Sequence, residues 1–500
     1  MDIAKAKQQV RDTIEAYLAR DEHGEPLLAP SQQRPIFLVG APGIGKTAIM
    51  AQIADELGLG LVSYSMTHHT RQSALGLPVI VRREYGGREY DASEYTMSEI
   101  IASVYDCMRE SGREQGILFL DEINCVSETL YPSMLQFLQF KTFGRHAVPE
   151  GWIVVTAGNP PEYNRSVHEF DVVTLDRVKR VAVEPDYAAW RAYAADKGVH
   201  PAVLTFLDVK KDRFYVMEST LDGKAFVTAR GWDDLSDMIG AYERLGKSVD
   251  RELVAHYVQN ERVAGEFAAY YELFGKYRDD YRVDDILAGA APEGVVERAR
   301  EAPFDERLSL VGLLLDALDG EHRAIMGRVD VLTAVRDDLR GVRAAVDAGA
   351  EVRAALDEVM ARRERDRAAL AASGGSSAAR RRQAADERAL LEEVAREAAP
   401  GAGEGAGAFA RVEAAFAARA DLAPAAAAAE ARLAAAFAFL EEAFGDAQEM
   451  LVFVTELTQR TPSARFIAQF GSPSYYGHNQ PMILSDRQRR LREMVEELDV

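Results

Sequence analysis

The sequence predicts an α/β core with a parallel five-stranded sheet, followed by a helical lid and an all-α, Ala-rich C-terminal extension. Three observations predict it. Short β-type runs at 36–39, 61–65, 117–120, 153–156 and 181–183 alternate with helical patterns, as strands joined by crossover helices do. After Glu184-Pro185 the pattern turns helical at 187–197, 201–208, 231–245 and 251–271. From about residue 320 to 460, Ala, Glu and Arg dominate and turn residues become scarce.

In chain order, residues 1–185 are expected to form the α/β domain, opening with an amphipathic helix that lacks the apolar core of a signal peptide. Residues 186–275 follow as the lid and 276–320 as a connecting segment. Residues 321–460 are expected as a helical hairpin or bundle. Within it, helices at 323–371 and 378–398 flank the break Gly374-Gly375-Ser376-Ser377, and a second break at 400–405 precedes a helical stretch ending near Gln459. This extension reads either as a solvated helical hairpin or as a partner-docking arm. Residues 461–500 carry Phe466, Phe470, Tyr475 and Tyr476 beside turn residues and end in a helix. That cluster reads either as an interaction patch or as a segment folding back onto the α/β core.

A chain of 500 residues, 48% hydrophobic and 28% charged, can bury a sizeable core and fits two to four soluble domains. Its 59 basic and 80 acidic residues give a net charge of -21, which disfavours non-specific attraction to nucleic acid phosphates. Two cysteines, Cys107 and Cys125, argue against a disulfide framework and for a reducing compartment. The most apolar long stretch, 422–440, is interrupted by Glu430 and Arg432 and does not read as a membrane span. A cytoplasmic protein is expected.

The chemistry is concentrated in the first domain. Gly40-Ala41-Pro42-Gly43-Ile44-Gly45-Lys46-Thr47 follows an apolar strand, and Ala48 opens a helix, which is the setting of a phosphate-binding P-loop. Its glycines let backbone N–H groups curl around phosphate at a helix N-terminus, Lys46 neutralises phosphate charge, and Thr47 can ligate Mg²⁺. About 70 residues after Lys46, a buried-type strand ends in Asp121-Glu122, one carboxylate suited to Mg²⁺ and the other to polarising the attacking water. Asn159 stands where the strand at 153–156 runs into a turn, placed to orient that water. Arg177, with Arg180 as the alternative, precedes the fifth strand, where an arginine can reach a neighbouring subunit's nucleotide. Arg230 starts a lid helix and can reach back to the γ-phosphate. His68 and His69 are adjacent and lack a third ligand, so they do not make a metal site; the loop around them, 67–72, has an open role.

The order P-loop, Asp121-Glu122-Ile123-Asn124, Asn159-Pro160, Leu175-Asp176-Arg177 and Arg230 resembles the MoxR/dynein-related branch of AAA+ P-loop ATPases over about residues 30–270. The resemblance implies Walker A, Walker B, sensor 1, arginine finger and sensor 2 at these positions. Val178 stands where the family often has Phe. The resemblance further implies ATP and Mg²⁺ as cofactors, a hexameric ring, and chaperone-like remodelling or activation of partner proteins, including partners with a von Willebrand factor A domain. The alternative function is a nucleic-acid-directed motor or loader, against which the acidic balance counts.

Overall fold

The computed structural model describes residues 1–143, 145–163, 167–220, 223–372, 378–398 and 406–479. The expected breaks at 374–377 and 400–405 lie outside the described residues, as does the expected C-terminal helix within 480–500. The described chain divides into two compact units, one holding Met1–Ala189 with Thr228–Arg230, the other holding Trp190–Val227, Gly231–Arg367 and the described residues from Ala378 onward.

In the first unit all five expected strands form: β1 (Ile36–Gly40), β2 (Gly60–Ser65), β3 (Gly116–Asp121), β4 (Trp152–Gly158) and β5 (Lys179–Val183). They pair in parallel in the order β2-β3-β4-β1-β5, with Leu61 opposite Ile117, Ile117 opposite Ile153, and Ile36 between Val155 and Lys179. The three central strands are buried on both faces, which is why their sequences run continuously apolar instead of alternating. Helices cover the sheet through one apolar stripe each: α1 (Ile3–Leu18) buries Ala6, Val10 and Ile14, and α3 (Glu99–Ser111) buries Ile100, Ile101 and Val104; α2 is Lys46–Glu56. Gly40, Ser65, Asp121 and Gly158 therefore end four strands at the same carboxyl edge, where open α/β sheets bind ligands.

A β-hairpin of this unit was not anticipated. Pro78–Tyr85 pairs antiparallel with Arg88–Tyr95, closed at Gly86 and Gly87, whose φ angles are 59° and 78°. Two successive positive φ values are what a two-residue hairpin turn demands. The hairpin is exposed on both faces.

The second unit holds most of the expected lid residues, all but 186–189 and 228–230, together with the later helices. Helices Tyr187–Lys197, Pro201–Val209 and Ala229–Arg244 match expectation closely. The helix expected at 251–271 is instead two, Arg251–Tyr257 and Glu261–Tyr281, because the Asn260 side chain accepts from Val263 N at 3.2 Å and caps a fresh start. A second hairpin, Val216–Thr220 with Gly223–Val227, was also unforeseen. Phe206, Trp232 and Phe267 form a buried aromatic centre with ring centroids 5.3–5.8 Å apart.

The expected connecting segment at 276–320 is helical. It contains Val283–Leu287, Val295–Glu301 and the start of a 44-residue helix, Phe304–Asp347, about 66 Å long at 1.5 Å per residue. Leu310, Val311, Leu314, Leu315 and Leu318 are all buried there, so the run is apolar around the whole helix and shows little one-sided periodicity. The helix expected at 323–371 is likewise divided, since Gly349, with φ 99°, separates Phe304–Asp347 from Val352–Ala372. The segment 407–444 is long and apolar enough to cross a membrane by length and composition. It is divided between helices Ala406–Arg419 and Ala423–Phe444, and Leu433, Phe437 and Leu440 of the second are buried within the unit.

Of the C-terminal aromatics, Phe466 and Tyr475 are buried within this helical unit, whereas Phe470 and Tyr476 are exposed. Phe466, on helix Thr461–Phe470, stacks on His322 of the long helix at 4.2 Å. His322 is fully buried, with Nδ1 3.0 Å from Ser463 Oγ, whose hydroxyl donates to Asp319, and with Nε2 lacking a partner among the described residues. Burial pushes the imidazole down to about 4, against the opposing pull of Asp319. The folded state then binds fewer protons than the unfolded state between about pH 6.5 and 4, so stability falls as pH drops through that window, by up to about 3 kcal/mol. Urea unfolding at pH 7 and pH 5 is expected to show a loss that shrinks in His322→Leu; an equal loss in both proteins refutes the assignment.

Candidate functional site

The phosphate-loop sequence leaves β1 at Gly40 and re-enters regular structure at Lys46. Gly43 has φ 72°, and a Cβ on it would lie 2.9 Å from the Thr228 side chain, so both backbone conformation and space demand glycine. The loop is tied on the same side by Arg230, whose N–H donates to Gly43 O at 3.1 Å. Gly45, with φ 96°, begins α2 without a side-chain cap, which leaves the first-turn N–H groups facing the loop as an anion site. Ala41 and Ile44 are buried, Pro42 is partly buried, and Thr47 and Ala48 are exposed.

Lys46 is only 7% exposed. Its Nζ donates to Gly40 O and Ala41 O, both at 2.8 Å, and to Asn159 Oδ1 at 3.0 Å. Burial lowers its pKa to about 8, and the Arg230 charge acts in the same direction, while Asp121 and Glu122 oppose it. The ammonium thus lies within the loop, at the end of a strand and the start of a helix, with all three protons engaged.

Thr47 Oγ1 donates to Asp121 Oδ2 at 2.7 Å, bringing a hydroxyl and a carboxylate together as a hard-oxygen pair of the kind Mg²⁺ takes. Asp121 Oδ1 accepts from Glu122 N at 2.8 Å. Glu122 itself has φ 55°, a left-handed conformation that costs a non-glycine residue about 1–3 kcal/mol and is found where the surroundings over-determine it. Its Oε2 accepts from Ser65 Oγ and Thr67 Oγ1, both at 2.9 Å. Ser65 and Thr67 were missed from the sequence. The available signal was strand adjacency: Ser65 is the last residue of β2 and pairs with Asp121, so whatever follows it faces Glu122.

The structure therefore brings Lys46, Thr47, Asp121, Glu122 and Asn159 to one carboxyl edge. Arg230 joins through its backbone and its charge, with its side chain exposed. Arg177 does not join. It is exposed beyond the short helix Val172–Leu175, and its guanidinium donates to Gln139 Oε1 at 2.5 Å. Arg180 lies exposed on β5 opposite Phe37. The residues present fit a Mg²⁺-bound polyphosphate: a buried ammonium, uncapped helix amides, a loop in which a Cβ at position 43 would clash, and a hydroxyl–carboxylate pair.

Among curated proteins, an 83-residue stretch is 39% identical to tRNA dimethylallyltransferase of Methylacidiphilum infernorum (isolate V4), covering 16% of this chain and 23% of that protein. The chain thus spans less than a quarter of that relative's length. The family model of the AAA domain (dynein-related subfamily) matches residues 35–178, the stretch that runs from the start of β1 through Asn159 to Arg177. The match over residues 35–178 supports an AAA+ ATPase, its α/β core carried in a chain whose remaining described part is mainly helical.

Proposed function

We propose that this chain hydrolyses ATP with Mg²⁺ in a homo-oligomeric ring, remodelling or activating partner proteins as MoxR-type AAA+ ATPases do. The observation that carries the hydrolytic reading is the convergence of Lys46, the Thr47–Asp121 pair, Glu122 and Asn159 on one sheet edge. MgATP, when bound, supplies the phosphoanhydride whose cleavage drives the work. Lys46 would exchange its loop carbonyls for phosphate oxygens, Thr47 and Asp121 would hold the metal, and Glu122, once free of Ser65 and Thr67, would accept a proton from the water that attacks the γ-phosphorus as its bond to the leaving ADP oxygen breaks. Asn159, at the end of β4, would orient that water with its carboxamide once Lys46 turns to phosphate. The net charge of -21 favours protein over nucleic acid as the client.

The binding step is tested at Lys46. Removing its charge in Lys46→Met deletes a charge-assisted contact worth about 2–3 kcal/mol, so MgATP affinity, measured by equilibrium titration with a fluorescent analogue, is expected to fall roughly 30- to 150-fold. Unchanged affinity would refute the site.

A further inference from the structure

Asn124 lies two residues after Glu122 in the turn Ile123–Cys125 and is only 5% exposed. Its side chain reaches across to the end of β4, where Nδ2 donates to Asn159 O at 2.8 Å and Oδ1 accepts from Asn159 N at 3.3 Å. A single carboxamide thereby engages both backbone polar groups of Asn159. The β3–β4 ladder runs only as far as Leu120 and Thr156, so the Asn124 side chain continues the pairing beyond the sheet. The approach is close enough that a Cβ at Gly158 would lie 2.4 Å from Asn124 Oδ1. Asn124 is itself held from the other side, because its own backbone carbonyl accepts from His168 N at 2.7 Å.

The consequence falls on Asn159. Its backbone is clamped, so its Oδ1 stays directed at Lys46 Nζ, 3.0 Å away. When phosphate draws the ammonium off, that carboxamide loses its partner, and only the backbone clamp keeps it in place for a reacting water. We infer that Asn124 is a positioning residue that fixes the Asn159 carboxamide for the chemical step. This rests on the ATPase reading above.

A double-mutant cycle tests it, because a merely structural Asn124 would act independently of the Asn159 side chain. Misplacing a reacting group by about 1 Å costs up to about 100-fold, so Asn124→Ala is expected to lower kcat about 10- to 100-fold. Its Kd for MgATP, measured by titration without turnover, is expected to stay within about threefold. In the Asn159→Ala background the further loss on adding Asn124→Ala is expected to be under about twofold. Asn124→Asp keeps the acceptor for Asn159 N–H and loses the donor, so an intermediate kcat is expected, and it carries the cycle if the alanine variant does not fold. Additive losses, or a loss of kcat matched by an equal loss of MgATP affinity, overturn the positioning role while leaving the ATPase reading intact. A wild-type chain that binds MgATP without turnover removes the ATPase reading, and the inference with it.

Discussion

Replacing Glu122 with Gln is expected to lower ATP turnover by about 10²- to 10⁴-fold, the span of general-base catalysis, while MgATP affinity stays within about twofold. The substitution keeps the side-chain volume and an oxygen that can accept from Ser65 and Thr67, so the left-handed turn at Glu122 keeps its supports. What it loses is the carboxylate that takes the proton. Steady-state phosphate release checks the first part and equilibrium titration the second; turnover within a few-fold of wild type would remove Glu122 from the chemistry. The same variant, loaded with ATP, is the means of capturing the client. Recovery of a protein partner supports remodelling, and recovery of DNA without a protein partner reverses the choice of client.

The sheet and the phosphate loop were legible because each rests on short-range chemistry. A parallel strand buried on both faces shows as an apolar run, and β1, β3 and β4 are such runs. A left-handed loop with no room for a Cβ demands glycine, and Gly43 and Gly45 stand there. The hairpin at Pro78–Tyr95 was not anticipated: Gly86-Gly87 between two β-rich runs marks its turn, but its exposed faces lack a clean apolar alternation. The helix breaks at Val258–Asn260 and near Gly349 depend on one cap or one left-handed residue within otherwise helical composition, a signal that composition averages away.

In the site, the sequence shows which residue types the chemistry needs but not what restrains them. Ser65, Thr67 and Asn124 touch Glu122 and Asn159 only because β2, β3 and β4 are neighbours in the sheet. Sequence separation conceals that: Asn124 and Asn159 are 35 residues apart. Arg177 shows the converse. Motif order reads it as a finger offered to a neighbouring subunit, and within this chain its side chain bonds Gln139.

That separation sets up the second large effect. An exposed guanidinium held by a neutral amide, outside the hydrogen-bonded cluster around Lys46, contributes little to charge stabilisation in its own subunit. Offered across an interface to a neighbour's phosphates, it would stabilise transition-state charge, a role worth about 10³- to 10⁵-fold in rate. Arg177→Ala is therefore expected to lose turnover on that scale with assembly intact, whereas Arg180→Ala stays within about threefold. Mixing decides whether the arginine acts in trans. Arg177→Ala and Glu122→Gln subunits are each inactive alone, but in a randomly mixed ring roughly one quarter of interfaces pair an intact Glu122 with a neighbour's intact Arg177. Partial recovery of turnover on mixing, measured against each variant alone, is the expected result. Mixed oligomers that form and stay inactive would place Arg177 outside the shared site, and a large loss in Arg180→Ala would transfer the role to that residue.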